Sequence, residues 1–240
     1  MNGDIEKLQR IFDVSRRIVF FGGAGVSTES GLKDFRSPDG LYAEKYKFPP
    51  EYMLSHDCFV RHTEEFFAFY REKLLPEGIK PNAAHFKLAE AEKKGKLSQI
   101  ITQNIDGLHQ AAGSKNVLEL HGSVLRNYCT RCGAFYDEKF IKNRRPVPLC
   151  EKCGGVVKPD VVLYGESLDE RVLEDSARAI READTLIVAG TSLAVYPAAG
   201  LINYFYGDNL IVINRDPVEI GGALFIKGKV GEILSQIEIR

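Results

Sequence analysis

Six short apolar segments, each running straight into glycine or a polar cluster, limit this chain to very few architectures. They are Ile18-Val19-Phe20-Phe21, Gln99-Ile100-Ile101-Thr102, Val117-Leu118-Glu119-Leu120, Val161-Val162-Leu163, Leu186-Ile187-Val188-Ala189 and Leu210-Ile211-Val212-Ile213. Continuous, mostly β-branched runs of this length suit parallel strands covered on both faces. Helical stretches separate several of them. Residues 4–16 carry Ile5, Leu8, Ile11 and Phe12 on one face, and residues 82–94 follow a Pro81-Asn82 start signal. Residues 168–182 open with Ser167-Leu168-Asp169-Glu170, which fits a capping box. This alternation predicts an α/β fold with a doubly wound parallel sheet. Ligands of such sheets bind outside the carboxyl ends of the strands. Here those ends carry Gly22 to Ser27, Gln103 to Asp106, His121-Gly122, Tyr164-Gly165-Glu166, Gly190-Thr191-Ser192 and Asn214-Arg215-Asp216. The predicted cleft runs along that edge.

Two stretches break the alternation. Residues 37–80 are aromatic-rich and predicted helical from Arg61 to Leu75, and residues 125–158 hold both cysteine pairs, Pro146, Pro148 and Gly154-Gly155. Both read as insertions that build a smaller lobe. Cys129-x-x-Cys132, 17 residues, then Cys150-x-x-Cys153 is zinc-ribbon spacing. Four thiolates close a tetrahedral zinc shell and leave no position for a reacting water, so one structural Zn2+ per chain is expected. Two redox dithiols or unpaired cysteines are the alternatives. Cys58 stands apart from the four.

Gly23-x-Gly25 after an apolar strand starts a phosphate-cradling turn, in which glycine lets the backbone approach a pyrophosphate and a following helix N-terminus stabilises its charge. Thr28 stands where a third glycine is usual, and no acidic residue closes a second strand roughly 20 residues on, which speaks against a hydride-transfer enzyme. A tight turn without a ligand is the plain alternative. His121, at the end of an alternating strand and on the same sheet edge, is the leading general-base candidate, with His109 its competitor. His56, His62 and His85 have no such placement. Thr102-Gln103-Asn104-Ile105-Asp106 offers two amides and a carboxylate that suit a sugar and a carboxamide, or else a helix cap over residues 107–112.

A net charge of −1 gives no general attraction to nucleic acid or anionic membrane. The polar, acidic start differs from a signal peptide, and no apolar run is long enough to span a bilayer. Cytoplasmic location and a monomer are expected, without membrane or nucleic-acid partners.

In their order along the chain, Gly23-Ala24-Gly25-Val26-Ser27, Asp34-Phe35-Arg36, Thr102 to Asp106, His121-Gly122, the four cysteines, Val161 to Glu166 and Gly190-Thr191-Ser192-Leu193 resemble the sirtuin family. The resemblance covers nearly the whole chain. It implies a Rossmann-like NAD-binding domain of residues 1–36, 81–124 and 159–240. A helical module, 37–80, and a zinc-ribbon module, 125–158, would form the small lobe. It also implies an NAD-dependent protein-lysine deacetylase. The acyl oxygen attacks C1′ of the nicotinamide ribose, and a histidine then activates the ribose hydroxyls. The products are free lysine, nicotinamide and O-acetyl-ADP-ribose.

By motif position, His121 looks like the base, with Asn104 and Asp106 around the ribose and carboxamide and Ile105 and Phe35 at the nicotinamide end. Gly23, Ala24, Gly25, Ser27, Thr28, Asp34, Arg36, Gln103, Gly190, Thr191, Ser192, Asn214 and Arg215 look like the rest of the NAD site. Leu108, His121, Val162, Tyr164, Gly165 and Val195 look like the acyl-lysine site, with Val162 and Val195 on the edges that pair a substrate strand.

Leu32, Lys33 and Tyr164 depart from the family's isoleucine, proline and phenylalanine. Members preferring acidic acyl groups carry Tyr-x-x-Arg, whereas Tyr70-Arg71-Glu72-Lys73 gives Tyr-x-x-Lys, so acetyl is favoured over succinyl or malonyl. Mono-ADP-ribosyl transfer on the same scaffold, another acyl preference, and a zinc-ribbon binding module with a degenerate sheet are the alternatives.

Overall fold

The computed structural model describes residues 3–34, 40, 47–75, 77–218 and 220–240. Nine strands are present among them: β1 (Ile18–Gly22), β2 (Leu97–Thr102), β3 (Val117–Glu119), β4 (Gly122–Cys129), β5 (Phe135–Tyr136), β6 (Val157–Val161), β7 (Thr185–Ala189), β8 (Asn209–Asn214) and β9 (Leu224–Lys227). The helices are α1 (Gly3–Val14), α2 (Pro50–Met53), α3 (His56–Arg61), α4 (Thr63–Leu74), α5 (Ala83–Lys93), α6 (Leu108–Ala111), α7 (Glu138–Asn143), α8 (Glu170–Arg181) and α9 (Val230–Leu234).

Six strands form one parallel sheet in the order β3-β2-β1-β7-β8-β9. Every residue of β1 and β7 is buried, as the unbroken apolar runs require of strands covered on both faces. One cover packs Ile5, Leu8 and Phe12 of α1, Leu88 of α5 and Leu234 of α9 against Phe20 and Ile100. The other packs Ala177 and Ile180 of α8 and Leu201 against Phe21, Leu186 and Val212. The chain order reverses direction across β1 and β7, so a crevice opens beyond their carboxyl ends.

Three elements differ from those expected from the sequence. Val161-Val162-Leu163 is not a strand of the parallel sheet: Val161 ends β6, which pairs antiparallel with β4 in a separate three-stranded sheet of order β5-β4-β6. A short apolar run is compatible with either kind of sheet, and Gly122 decides the matter by turning the chain directly from β3 into β4. The sixth parallel strand is β9, a half-exposed edge strand whose Lys227 faces water. Helix α8 is capped by Asp169, whose side chain accepts from the N–H groups of Arg171 and Val172, and not by Ser167.

A second core joins the three-stranded sheet to α2, α3 and α4 through Met53, Phe59, Phe66, Phe67, Tyr70, Val124 and Ile141. Arg71 of α4 fastens this union. Its guanidinium is buried and donates to the carbonyls of Phe67, Ile141, Arg144 and Pro146 at 3.1, 2.9, 2.6 and 2.6 Å. The helical and cysteine-bearing insertions therefore share one core, while the parallel sheet keeps its own two.

Candidate functional site

At the end of β1, Gly23 N–H donates to Ala189 O at 3.1 Å and Gly25 N–H to Gly190 O at 2.8 Å. The two loops touch backbone to backbone. A Cβ on Gly25 would lie 2.7 Å from the Gly190 Cα, and one on Gly190, at φ +60°, would lie 2.5 Å from Val26 N. Close approach, and not a full fingerprint, is what these glycines provide. The loop then forms two single turns of 3₁₀ helix, Ala24–Val26 and Thr28–Ser30, where a continuous helix had been expected. An anion here would meet turn N–H groups without the dipole of a long helix behind them.

Ser27 lies at the centre of a buried polar cluster. Its hydroxyl donates to Asp106 Oδ2 at 2.6 Å and accepts from Asn104 Nδ2 at 3.1 Å, and Asp106 Oδ1 accepts from Leu108 N–H at 2.9 Å. Asp106 thus ties the glycine turn to the start of α6, while Gly107, at φ +71°, occupies the cap position itself. The link joins residues 79 apart in sequence, and nothing in the local motif announces it.

Gln103 connects the two halves of the edge. Its side chain donates to Thr191 Oγ1 at 3.1 Å, and its carbonyl accepts from the His121 ring at 2.9 Å. A carbonyl can only accept, so Nδ1 carries the proton and Nε2 keeps its lone pair. Burial pushes the His121 pKa below its ordinary value of 6.5, against an opposing pull from the Gln103 carbonyl. The imidazole is neutral at pH 7 and held in one tautomer. The backbone beside it is equally fixed: Val162 N–H donates to His121 O at 3.0 Å. Gly122 follows at φ +74°, and a Cβ there would stand 1.9 Å from Asp160 O.

The competing histidine is elsewhere. His109 is in the core against Phe20 and His85, with neither ring nitrogen hydrogen-bonded among the described residues. Burial, and then the neighbouring His85, push its pKa down to about 3. His85 Nδ1 accepts from Asn82 N–H at the head of α5, and His62 packs on Phe48 and Tyr52.

Towards β8, a cavity of 610 Å³ is lined by Ser192, Leu193, Tyr196, Asn214, Asp216 and Pro217, among others. Asn214 Nδ2 donates to the Asp216 carbonyl at 3.0 Å, and Arg215 pairs with Asp34 at 3.1 Å. Tyr196 and Asp216 were not singled out from sequence as ligand contacts. Asp216 ends the polar cluster after β8, which was the available signal. Phe35 and Arg36 lie outside the described residues. Of the residues expected to hold the acyl-lysine, Val162 is half-buried, Tyr164 and Gly165 are exposed, Leu108 is buried, and Val195 is half-buried on the loop after β7. Ile105 packs against the small-lobe core, and its carbonyl accepts from Val124 N–H at 2.9 Å.

The four sulfurs of Cys129, Cys132, Cys150 and Cys153 all lie within 4.8 Å of one another. Cys129 Sγ and Cys153 Sγ are 3.4 Å apart, and Cys132 Sγ and Cys150 Sγ 3.6 Å. Tetrahedral zinc with Zn–S bonds of about 2.3 Å calls for sulfurs roughly 3.8 Å apart, so the donor set fits that ion. Arg131 N–H and the Tyr136 hydroxyl donate to Cys129 and Cys150, as thiolate ligands require. The cluster stands on β4, the loop before β5 and the hairpin before β6, within the second core and apart from the sheet edge.

A family model described as the Sir2 family matches residues 23–197. A Clostridium acetobutylicum protein named NAD-dependent protein deacetylase is 57% identical over 238 residues, covering 97% of each chain. A protein of the same name from Clostridium perfringens is 57% identical over 242 residues, covering 99% of each. Among solved structures, a Sir2 protein with a deacetylated p53 peptide and 3′-O-acetyl-ADP-ribose superposes with a TM-score of 0.89 at 38% identity, covering 97% of this chain and 96% of that one. A Sir2 complex with a p53 peptide and NAD+ superposes with a TM-score of 0.83 at 36% identity, covering 96% and 95%.

Proposed function

Since this chain belongs to the Sir2 family, we propose that it is an NAD-dependent protein-lysine deacetylase whose base is His121. NAD supplies the ribose that accepts the acetyl group, with nicotinamide as the leaving group. The glycine turn at residues 23–25 and the loop from Gly190 to Ser192 receive the diphosphate side, with Thr28, Asp34, Asn214 and Arg215 beside them. Asn104 and Asp106 face the nicotinamide ribose, and Ser27 holds Asp106 in place. Residues 35 and 36 belong to the same site by motif position. His121 takes a ribose hydroxyl proton through Nε2. Val162, Tyr164, Gly165, Leu108 and Val195 receive the acetyl-lysine stem and its flanking backbone.

The observation that carries this reading is the His121 ring. Its Nδ1 is occupied by the Gln103 carbonyl, which leaves a basic nitrogen at the carboxyl edge of the sheet. Positioning of this kind matters more than acid strength when a ribose cation has to be trapped by a nearby hydroxyl. The four-cysteine cluster, filled by zinc, braces the small lobe and has no open position for chemistry.

Acetyl is the preferred acyl group in this reading. Tyr70 is fully buried, Lys73 carries its charge to Glu72, and Arg71 is spent on four carbonyls, so α4 offers no forked cation to a carboxylate. No helix among the described residues is long and apolar enough to cross a membrane. We place the protein in the cytoplasm, as a monomer acting on acetylated proteins, with the lobe boundaries given by the resemblance.

Incubation with acetyl- and succinyl-peptides, with and without NAD, tests the proposal by product identification. Free lysine peptide, nicotinamide and O-acetyl-ADP-ribose in equal amounts are expected from the acetyl peptide, and much less turnover from the succinyl one. His121→Ala is expected to lower turnover at least about a hundredfold. Transfer of label from NAD to protein without O-acetyl-ADP-ribose would instead make the chain an ADP-ribosyltransferase.

A further inference from the structure

The loop after β6 is held by three polar side chains that take no part in the chemistry above. Glu166 is at their centre. Its Oε2 accepts from Leu163 N–H at 2.9 Å and from Lys158 Nζ at 3.0 Å, and its Oε1 accepts from His56 Nδ1 at 2.9 Å. Lys158 also donates to the carbonyls of Val161 and Pro159, at 2.9 and 3.3 Å. Burial raises the Glu166 carboxyl, but the bonds from Leu163, His56 and Lys158 outweigh it and hold the group below the ordinary carboxylate value. The carboxylate is therefore a fixed anionic node inside the loop.

His56 adds a second attachment from a different module. Its backbone N–H donates to Tyr164 O at 2.9 Å, Tyr164 N–H donates to Leu54 O at 3.0 Å, and Ser55 pairs with Tyr164 as a parallel β-bridge. Residues 161–166 thus hang between β6 and the head of α3. Val162 N–H reaches the His121 carbonyl from the same segment. A wall fixed at both ends presents a preformed edge to an incoming strand, and the ordering cost is met before binding. The His56 side chain is half exposed at 54%, so it contributes little to the core and its removal leaves the fold standing.

We propose that His56, through Glu166 and Lys158, is a positioning residue for peptide binding: it locks the 161–166 wall in the form that pairs with the acyl-lysine substrate. The proposal rests on the deacetylase reading for its substrate, though not for its geometry. Loss of the lock raises the KM for acetyl-peptide and leaves both kcat and the KM for NAD near their original values, because the His56 side chain bonds to Glu166 and not to Gln103, which holds the His121 ring.

The experiment compares wild type, His56→Ala, His56→Asn and Lys158→Met by steady-state kinetics, with amide hydrogen exchange followed across residues 161–166. His56→Ala is expected to raise the peptide KM about fivefold or more with kcat and NAD KM within about twofold, and Lys158→Met to do the same. Asparagine places an amide donor where Nδ1 stood, so His56→Asn is expected to restore most of the affinity. Exchange at Leu163 and Tyr164 is expected to quicken about tenfold in His56→Ala. An unchanged peptide KM, or a fall in kcat with equal effects on both substrates, would overturn the proposal. If wild type itself fails to deacetylate, the functional reading falls, and exchange alone then decides the lock: unaltered protection in His56→Ala refutes it.

Discussion

His121 and His109 are twelve residues apart and chemically identical, yet the fold gives them opposite fates. His121 keeps one nitrogen for the cleft, whereas both nitrogens of His109 are sealed in the core. Because burial lowers the His121 pKa from 6.5, its basic form persists on acidification, and the turnover rate is expected to stay level through neutrality and fall only below about pH 6.5. A pH–rate profile under saturating substrates checks this. His109 governs stability instead. The unfolded chain binds its proton near 6.5 and the folded chain only near about 3, so stability is complete above 6.5 and declines as pH falls toward 3. The loss at about pH 4 is roughly 3 kcal/mol, measurable by denaturant titration, and His109→Leu is expected to flatten that limb. Sequence ranks His121 first for its place at a strand end but leaves His109, inside the short helix α6, as a competitor; burial decides between them. Gly122 shows the reverse, a residue whose need is visible only in three dimensions. Its positive φ and the Asp160 carbonyl exclude any Cβ, so Gly122→Ala is expected to cost at least about 2 kcal/mol and to displace His121. Thermal melting and activity of that variant read both effects.

At the level of elements, legibility followed hydrophobic density. β1, β7 and β8 announce themselves as unbroken apolar runs because both of their faces are covered, and β2 by its Ile100-Ile101 pair. β9 escaped although Leu224-Phe225-Ile226 is apolar, because so short a run between Gly222 and Gly228 reads equally as a loop, and β4 because its partly alternating burial resembles the irregular insertion it enters. Val161 to Leu163 was assigned to the wrong sheet, since a run of three residues carries no information about its neighbours. The cysteine spacing, by contrast, specified its cluster outright. One zinc per chain is expected by elemental analysis, and Cys150→Ala is expected to lose the metal and melt the three-stranded sheet ahead of the parallel one. Arg71 went unrecognised as a structural residue because its partners are carbonyls, which no side-chain pattern encodes. Arg71→Met would leave several buried carbonyls without a donor and is expected to destabilise the small lobe by about 3 kcal/mol, with the sheet-edge residues undisturbed.

Across the whole molecule, a sheet with its own two covers meets a second core that includes the four-cysteine cluster, and the residues proposed for the chemistry lie where the loops of both converge. Gln103 reaches Thr191 on one side and His121 on the other, and the His121 carbonyl in turn accepts from Val162 N–H, so the loop after β7, the His121 ring and the segment after β6 form one hydrogen-bonded chain. That continuity was beyond the reach of sequence reading, which assembled the same residues only as separate strand ends. A crystal structure with NAD bound examines it most directly. The nicotinamide ribose should lie with a hydroxyl about 2.6–3.2 Å from His121 Nε2, and Asn104 should face the same sugar. A nucleotide bound away from residues 103–106, or an imidazole rotated to bury Nε2, would contradict the account.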